Sequence, residues 1–135
     1  MNANNALAQY KHMKNNTQTM YASPHQLVLM LFDGAIEALS MTIGAIKYQN
    51  IELRAKQSSR GITIINGMRD CLDMEAGSEL AENLNALYLY MAQELFRAAF
   101  KNDVETIEKI QAMLKDIRGS WEKIPQGMHY MQKDT

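Results

Sequence analysis

The sequence contains two prolines, Pro24 and Pro125, and none at positions 25–124. Proline interrupts helices and marks turns, so a long proline-free stretch favours a chain of helices. Ala, Leu, Ile and Met are abundant in this stretch and valine is rare, a composition that favours helices over strands. These features predict an all-α fold.

Capping signals and apolar spacing divide this stretch into helices. Ser23 and Gln26 form a capping-box pattern, and Pro24 occupies the first helical position. Asn102 with Glu105 repeats the pattern before an a/d seam. Asn50 and Ser78 are the other expected caps, so the predicted helices cover residues 23–47, 50–73, 78–101 and 102–124. Helices of this length joined by short loops predict an antiparallel four-helix bundle.

The flanks of the predicted bundle are polar. We expect residues 1–22 to form a flexible N-terminal segment or lid, residues 23–124 the bundle, and residues 125–135 a C-terminal tail. The N-terminus has no apolar signal core, and the longest apolar runs (27–32 and 86–92) are far shorter than the ~20 residues that span a bilayer. We therefore expect no membrane insertion.

Charge and cysteine content narrow the class of protein further. The 14 Lys and Arg residues nearly balance the 15 Asp and Glu residues, which argues against a nucleic-acid partner. Cys71 is the single cysteine, so no internal disulfide forms, and this suits the cytoplasm.

The motifs of enzymatic chemistry are missing from the sequence. The chain has three histidines but no Glu-x-x-His, His-Glu-x-x-His, P-loop or Gly-x-Ser-x-Gly motif. We expect no catalytic residue, no cofactor and no metal. His25 is expected to be solvated, and its role as the phosphoacceptor of a phosphotransfer bundle is disfavoured because the lysine-glycine context is absent. We expect the Cys71 side chain to pack among apolar residues and not to act as a nucleophile.

The sequence carries more apolar positions than a four-helix core requires. Residues 86–92 are all apolar or aromatic, and helix two has a second apolar stripe. This surplus predicts a hydrophobic groove for a partner helix. Gly61 and Gly67 are expected to make helix two easier to deform when the partner binds, although glycines also permit close helix crossing. The alternatives are ordinary surface residues or the self-interface of a homodimer. The predicted groove residues are Ile64, Met68, Cys71, Tyr88, Leu89 and Met91.

Several blocks resemble the flagellar secretion chaperone FliS family. Residues 21–24 read Tyr-Ala-Ser-Pro, followed by an apolar run that ends Leu-Phe-Asp-Gly-Ala, where the family has Thr-Ala-Ser-Pro and Leu-Tyr-Asp-Gly-Ala. Tyr10, residues 77–84, residues 87–90 and Trp121 match in order. Tyr21, Phe32 and Leu89 depart from the usual residues. The resemblance spans about residues 7–122.

The resemblance implies a cytoplasmic export chaperone. Such a protein binds the disordered C-terminal segment of flagellin, prevents premature polymerisation and supports delivery to the flagellar type III export apparatus. It also implies that the segment carrying Tyr10 covers part of the groove until flagellin displaces it. The alternative is a helical bundle that forms a structural homodimer or serves as an adaptor for a different client.

Overall fold

The computed structural model describes residues 23–72 and 78–124, and this part of the chain is a bundle of four helices. They are α1 (Pro24–Lys47), α2 (Ile51–Asp70), α3 (Glu79–Phe100) and α4 (Val104–Glu122). Helix α1 packs along α2 and α4, and α3 packs along the same two helices. The predicted all-α four-helix bundle is confirmed. The predicted flanks, residues 1–22 and 125–135, lie outside the described residues.

Three of the four predicted N-caps are confirmed. Ser23 and Gln26 form the full capping box: the Gln26 N–H donates to Ser23 Oγ at 3.2 Å, and the Ser23 N–H donates to Gln26 Oε1 at 3.0 Å. Asn50 caps α2 by accepting from the Leu53 N–H at 3.1 Å, and Ser78 caps α3. These side chains satisfy backbone donors that a helix start leaves unpaired.

The predicted cap of α4 is wrong by one residue. Asp103, not Asn102, accepts from the Thr106 N–H, at 3.1 Å. Asn102 instead has φ of 56° and ends α3, where the Asp103 N–H reaches back to the Ala98 carbonyl at 2.8 Å. A left-handed residue followed by this long bond is a Schellman ending, and it leaves the next residue to start the new helix.

The α1–α2 loop uses the same arrangement. Gln49 has φ of 58°, and the Asn50 N–H donates to the Ala45 carbonyl at 2.8 Å before Asn50 caps α2. Both loops lie at one end of the bundle, where Arg54 Nη1 donates to Asn102 Oδ1 at 2.7 Å and joins them. Helix α2 ends at Asp70, three residues before the predicted boundary.

The core contains side chains from all four helices. Trp121, Phe32 and the apolar positions of the α4 seam at Ile107, Ile110 and Leu114 are buried. Gly61 lies at a close crossing, since a Cβ there would be 3.1 Å from Leu39 Cδ1 and 3.2 Å from Leu95 Cδ2. Its absence of a side chain is therefore explained by packing.

Helix α1 is long and apolar enough to cross a membrane by length and composition alone. It is the only helix of the described residues that passes this test, and the core helix of a soluble protein passes it as well. Many of its apolar side chains are buried, and α1 packs along α2 and α4.

Candidate partner-binding surface

The predicted groove residues divide into buried and accessible sets. Ile64, Met68, Tyr88 and Met91 are buried in the core, so the expectation that they form a surplus surface stripe is wrong for these four. Cys71 is half-buried, and Leu89 is 37% exposed. Tyr10 lies outside the described residues.

Helix geometry explains why the surplus was overestimated. Each helix of this bundle contacts two neighbours rather than one. A helix at such a corner buries a wider arc than a single stripe, so α2 places Ile64 and Ile65 in the core together. The two adjacent apolar stripes on α2 therefore pack into the core and do not form a separate surface.

Three of the predicted residues converge on one small apolar cleft. Met68 and Cys71 contribute from the end of α2, and Tyr88 contributes from α3. The remaining lining residues are Val28, Leu31, Phe32, Leu72 and Trp121. Side chains of all four helices thus meet at the end of the bundle where α1 begins and α4 ends.

The polar atoms of this cleft are held in their neutral forms. Burial, with a smaller contribution from the Asp70 carboxylate, raises the pKa of the Cys71 thiol to about 11. Burial also raises the pKa of Tyr88, and the neighbouring Cys71 adds to that shift. A thiol that stays protonated at neutral pH is a poor nucleophile, as expected for packing rather than catalysis.

His25 and Trp121 close the same end of the bundle. His25 is only 5% exposed, so the prediction that it is solvated is wrong. Its Nε2 lies 2.9 Å from the Trp121 carbonyl, and Trp121 Nε1–H donates to the His25 carbonyl at 3.0 Å. The rings stack with centroids 4.9 Å apart. This reciprocal pair, which we call the His25–Trp121 clip, ties the start of α1 to the end of α4.

Large apolar side chains are exposed on the outer face of α3. Phe96 and Phe100 are 70% and 71% exposed, and Leu89 lies on the same side of the helix. Sequence reasoning missed both phenylalanines. Their spacing of four residues, which places both on one face of α3 beyond the continuous apolar run, was the available signal.

A second exposed apolar group lies at the end of the bundle that carries the two Schellman loops. Tyr48 and Ile51 are both exposed there. Ile51 borders a depression whose rim also includes polar groups of Arg54 and Asn102.

Several charged side chains of the described residues form ion pairs with one another. Arg118 Nε donates to Asp33 Oδ1 at 2.6 Å, and Arg97 contacts both Glu94 and Asp103 at 3.1 Å. Within residues 23–72 and 78–124, no group of three His, Cys, Asp or Glu side chains could hold a metal ion. Some of these ion pairs link helices and others lie within one helix, and they do not converge on a site.

A helical bundle that exposes aromatic side chains and has an apolar cleft at one end has the surface of a protein that binds other proteins. The sequence model of the family described as "Flagellar protein FliS" matches residues 4–128. The chain therefore belongs to the FliS family.

Individual relatives agree with this assignment. The chain is 34% identical to the flagellar secretion chaperone FliS of Vibrio cholerae over 92% of this chain and 91% of the relative. It is 35% identical to the flagellar secretion chaperone FliSB of Pseudomonas aeruginosa, over 92% and 98% of the two chains. It is 38% identical to the flagellar secretion chaperone FliS of Salmonella typhimurium, over 85% and 86%. A chaperone family is not a class of enzymes.

Proposed function

We propose that this protein is a cytoplasmic flagellar export chaperone whose client is the disordered C-terminal segment of flagellin. The observation that carries the proposal is the exposed apolar face of α3 in a chain whose relatives are named flagellar secretion chaperones. Binding prevents premature polymerisation and keeps the client ready for the type III export apparatus.

The mechanism follows from competition for one apolar stripe. A flagellin terminal segment that polymerises by burying apolar helical residues cannot bury the same residues in a chaperone and in another subunit. Ordering a disordered segment costs several kcal/mol, so the chaperone must offer a large apolar surface to compensate. Holding of this kind needs no nucleotide and no cofactor.

Access to the predicted groove residues requires the bundle to open. Leu89 is accessible in the closed bundle, whereas Met68, Tyr88 and the other buried positions are not. The cleft that Met68 and Tyr88 line lies beside the His25–Trp121 clip. In the proposed function, the client first binds exposed side chains and reaches the cleft only when this end loosens. The segment carrying Tyr10 acts as a lid that the client displaces.

A polymerisation assay tests the proposal. Purified host flagellin is seeded and its polymerisation followed by light scattering, with and without an equimolar amount of this protein. We expect polymerisation to be suppressed. Flagellin without its C-terminal segment, titrated in as a competitor, should not relieve the suppression, whereas the isolated C-terminal segment should. Unchanged polymerisation in the presence of this protein would contradict the proposal.

A cellular assay addresses the export step. Deleting the gene should lower the amount of flagellin in the culture medium, and the wild-type gene should restore it. Normal flagellin export in the deletion strain would show that another client, or a structural homodimer, is the purpose of the exposed surface.

A further inference from the structure

Helices α3 and α4 make the least extensive contact of the four neighbouring pairs in the bundle. A polar contact shows which sides of the two helices face each other. Arg97 Nη2 donates to Asp103 Oδ2 at 3.1 Å and to Thr106 Oγ1 at 3.4 Å. The same guanidinium donates to Glu94 Oε1 at 3.1 Å. Glu94 on α3 and Thr106 on α4 therefore mark the two facing sides.

Apolar side chains continue both sides toward the other end of the bundle. Residues seven apart lie on nearly the same side of a helix, so Leu87 and Leu80 continue the row of Glu94 on α3. Met113 continues the row of Thr106 on α4 in the same way. Leu80 is 47% exposed, and the apolar residues beside it on the two helices are half-buried at the edge of the core. We call this surface the α3–α4 seam, and its residues are Leu80, Leu87, Met113, Ile117 and Ile124.

The α3–α4 seam is too small for a second copy of this chain. Its apolar surface comes from five side chains, and four of them are half-buried. A stable dimer buries about 800 Å² per partner and uses about 20–30 residues on each side. The seam therefore fits one short apolar segment.

The C-terminal segment of the chain, residues 125–135, begins at one end of the seam. Ile124 is itself a seam residue, and Pro125 follows it directly. Residues 124–127 read Ile-Pro-Gln-Gly, which places proline and glycine at the second and fourth positions, where a type I turn favours them. A turn of this type reverses the chain and directs the following residues back along α3 and α4.

The residues after this turn have the composition and the length that the seam requires. Residues 128–131 read Met-His-Tyr-Met, and the four residues after them are polar. Leu80 and Leu87 are seven positions apart, which corresponds to ~10 Å along α3. Four extended residues span up to ~13 Å, so residues 128–131 are long enough to reach from one leucine to the other.

The N-terminal segment is a poorer match to the seam. It leaves the bundle from α1, and α1 packs along α2 and α4 but not along α3. The C-terminal segment instead leaves from α4, one of the two helices that form the seam.

We propose that residues 128–131 pack into the α3–α4 seam and cover it. Methionine is flexible enough to fill an irregular apolar gap, and the contact removes apolar surface of both partners from water. A covered seam closes this side of the bundle to the apolar helices of other proteins. The proposal concerns this chain alone and does not depend on the identity of the client.

Amide hydrogen exchange of the full chain tests the contact. Met128→Glu/Met131→Glu places two charges in it, and Gln126→Glu/Gln132→Glu is the matched control because it adds the same charge to the same segment at polar positions. We expect exchange at residues 80–90 and 113–122 to quicken at least about fivefold in the first variant and less than about twofold in the second. Equal exchange in the two variants, with both folds intact by circular dichroism, would overturn the proposal.

A spin label tests where the segment lies. The label is attached at Gln132→Cys after Cys71→Ala has removed the only other thiol, and methyl NMR signals are compared before and after the label is reduced. We expect the signals of Leu87 and Ile117 to lose most of their intensity beside the active label, and the signal of Ile62 on α2 to keep most of it. A greater loss at Ile62 than at Leu87, or no loss at any of the three, would overturn the location and with it the proposal.

Dilution separates a second copy from the chain's own segment. Exchange at residues 80–90 that stays the same on about tenfold dilution agrees with a contact within one chain. Exchange that quickens on dilution would show that a second copy covers the seam, and would overturn the proposal.

Discussion

The His25–Trp121 clip makes a sharp prediction about stability. Trp121 is fully buried and is the only tryptophan of the chain, and its indole N–H donates to the His25 carbonyl at 3.0 Å. Trp121→Phe keeps an aromatic ring but removes the donor and part of the buried volume. The clip also depends on His25 Nε2, which lies 2.9 Å from the Trp121 carbonyl. A carbonyl only accepts, so Nε2 donates this hydrogen bond, while Nδ1 is buried with no hydrogen-bond partner among the described residues.

The magnitude follows from these contacts. Losing the indole hydrogen bond costs about 1 kcal/mol, and the lost ring volume adds about 1–2 kcal/mol. Trp121→Phe should therefore destabilise the fold by roughly 2–3 kcal/mol, or about 7–11 °C in Tm for a chain of this size. His25→Phe loses one hydrogen bond but also removes the buried unpaired Nδ1, so its cost should be smaller, within about 1 kcal/mol of wild type.

Urea unfolding monitored by circular dichroism gives the free energy of unfolding of both variants. Tryptophan fluorescence is unsuitable because Trp121→Phe removes the only tryptophan. Tyr90→Phe is the control, since Tyr90 is exposed and its hydroxyl supports nothing in the core. Trp121→Phe within about 0.5 kcal/mol of wild type would refute the clip. A larger loss in His25→Phe than in Trp121→Phe would refute the assignment of Nδ1 as unpaired.

Three further predictions concern the core and its ionisable groups. Met68→Glu buries a charge and should lower the free energy of unfolding by several kcal/mol, whereas Leu89→Glu, at an exposed position, should leave the urea midpoint nearly unchanged. Equal urea midpoints of the two variants would contradict the burial of Met68. Gly119→Ala meets no atom within 4 Å and should stabilise α4 by about 0.5–1 kcal/mol, while Gly61→Ala must displace its neighbours and should gain less or lose, as thermal unfolding will show. The pKa of Cys71 is raised to about 11 in the folded protein, so the folded state keeps a proton that the unfolded state loses above pH 9. The free energy of unfolding should therefore fall as the pH rises from 9 to 11. In urea titrations across this range, Cys71→Ala should show a smaller fall than the wild type.

Local signals in the sequence predicted the helices well, because caps depend on a few adjacent residues. Ser23, Asn50 and Ser78 each satisfy a backbone donor three residues ahead. Asn50 and Ser78 were expected as caps from their residue type and position, and Ser23 from its capping-box spacing with Gln26. Asn102 was assigned as a cap by the same rule and is wrong. The Schellman ending of α3 takes Asn102 into the left-handed region, and this competing motif moves the cap to Asp103.

The candidate site was harder to predict, because exposure depends on how many neighbours each helix has. Met91 and Tyr88 look like surplus on a single-stripe helix, but a corner helix with two neighbours buries them. Phe96 and Phe100 lie outside the continuous apolar run and drew no attention, although they are among the most exposed apolar side chains of the described residues. His25 was expected to be solvated because it lies in the first turn of a helix, and its partner Trp121 is too distant in sequence for a local pattern to reveal the contact.

The family is identified from sequence motifs, whereas client binding is inferred from the surface of the folded protein. The motif that begins at residue 21 pointed to the family, and the match over residues 4–128 confirms it. The physical case for a client depends instead on exposed apolar side chains and a cleft closed by a clip that two hydrogen bonds hold. Binding to that surface is the central claim.

Titration calorimetry with a peptide of the C-terminal segment of host flagellin tests this claim most directly, with circular dichroism of the same samples. The account predicts one-to-one binding, a gain in helix content and a large negative heat-capacity change, because a disordered segment folds as it buries apolar surface. The absence of heat and of any gain in helix would contradict it.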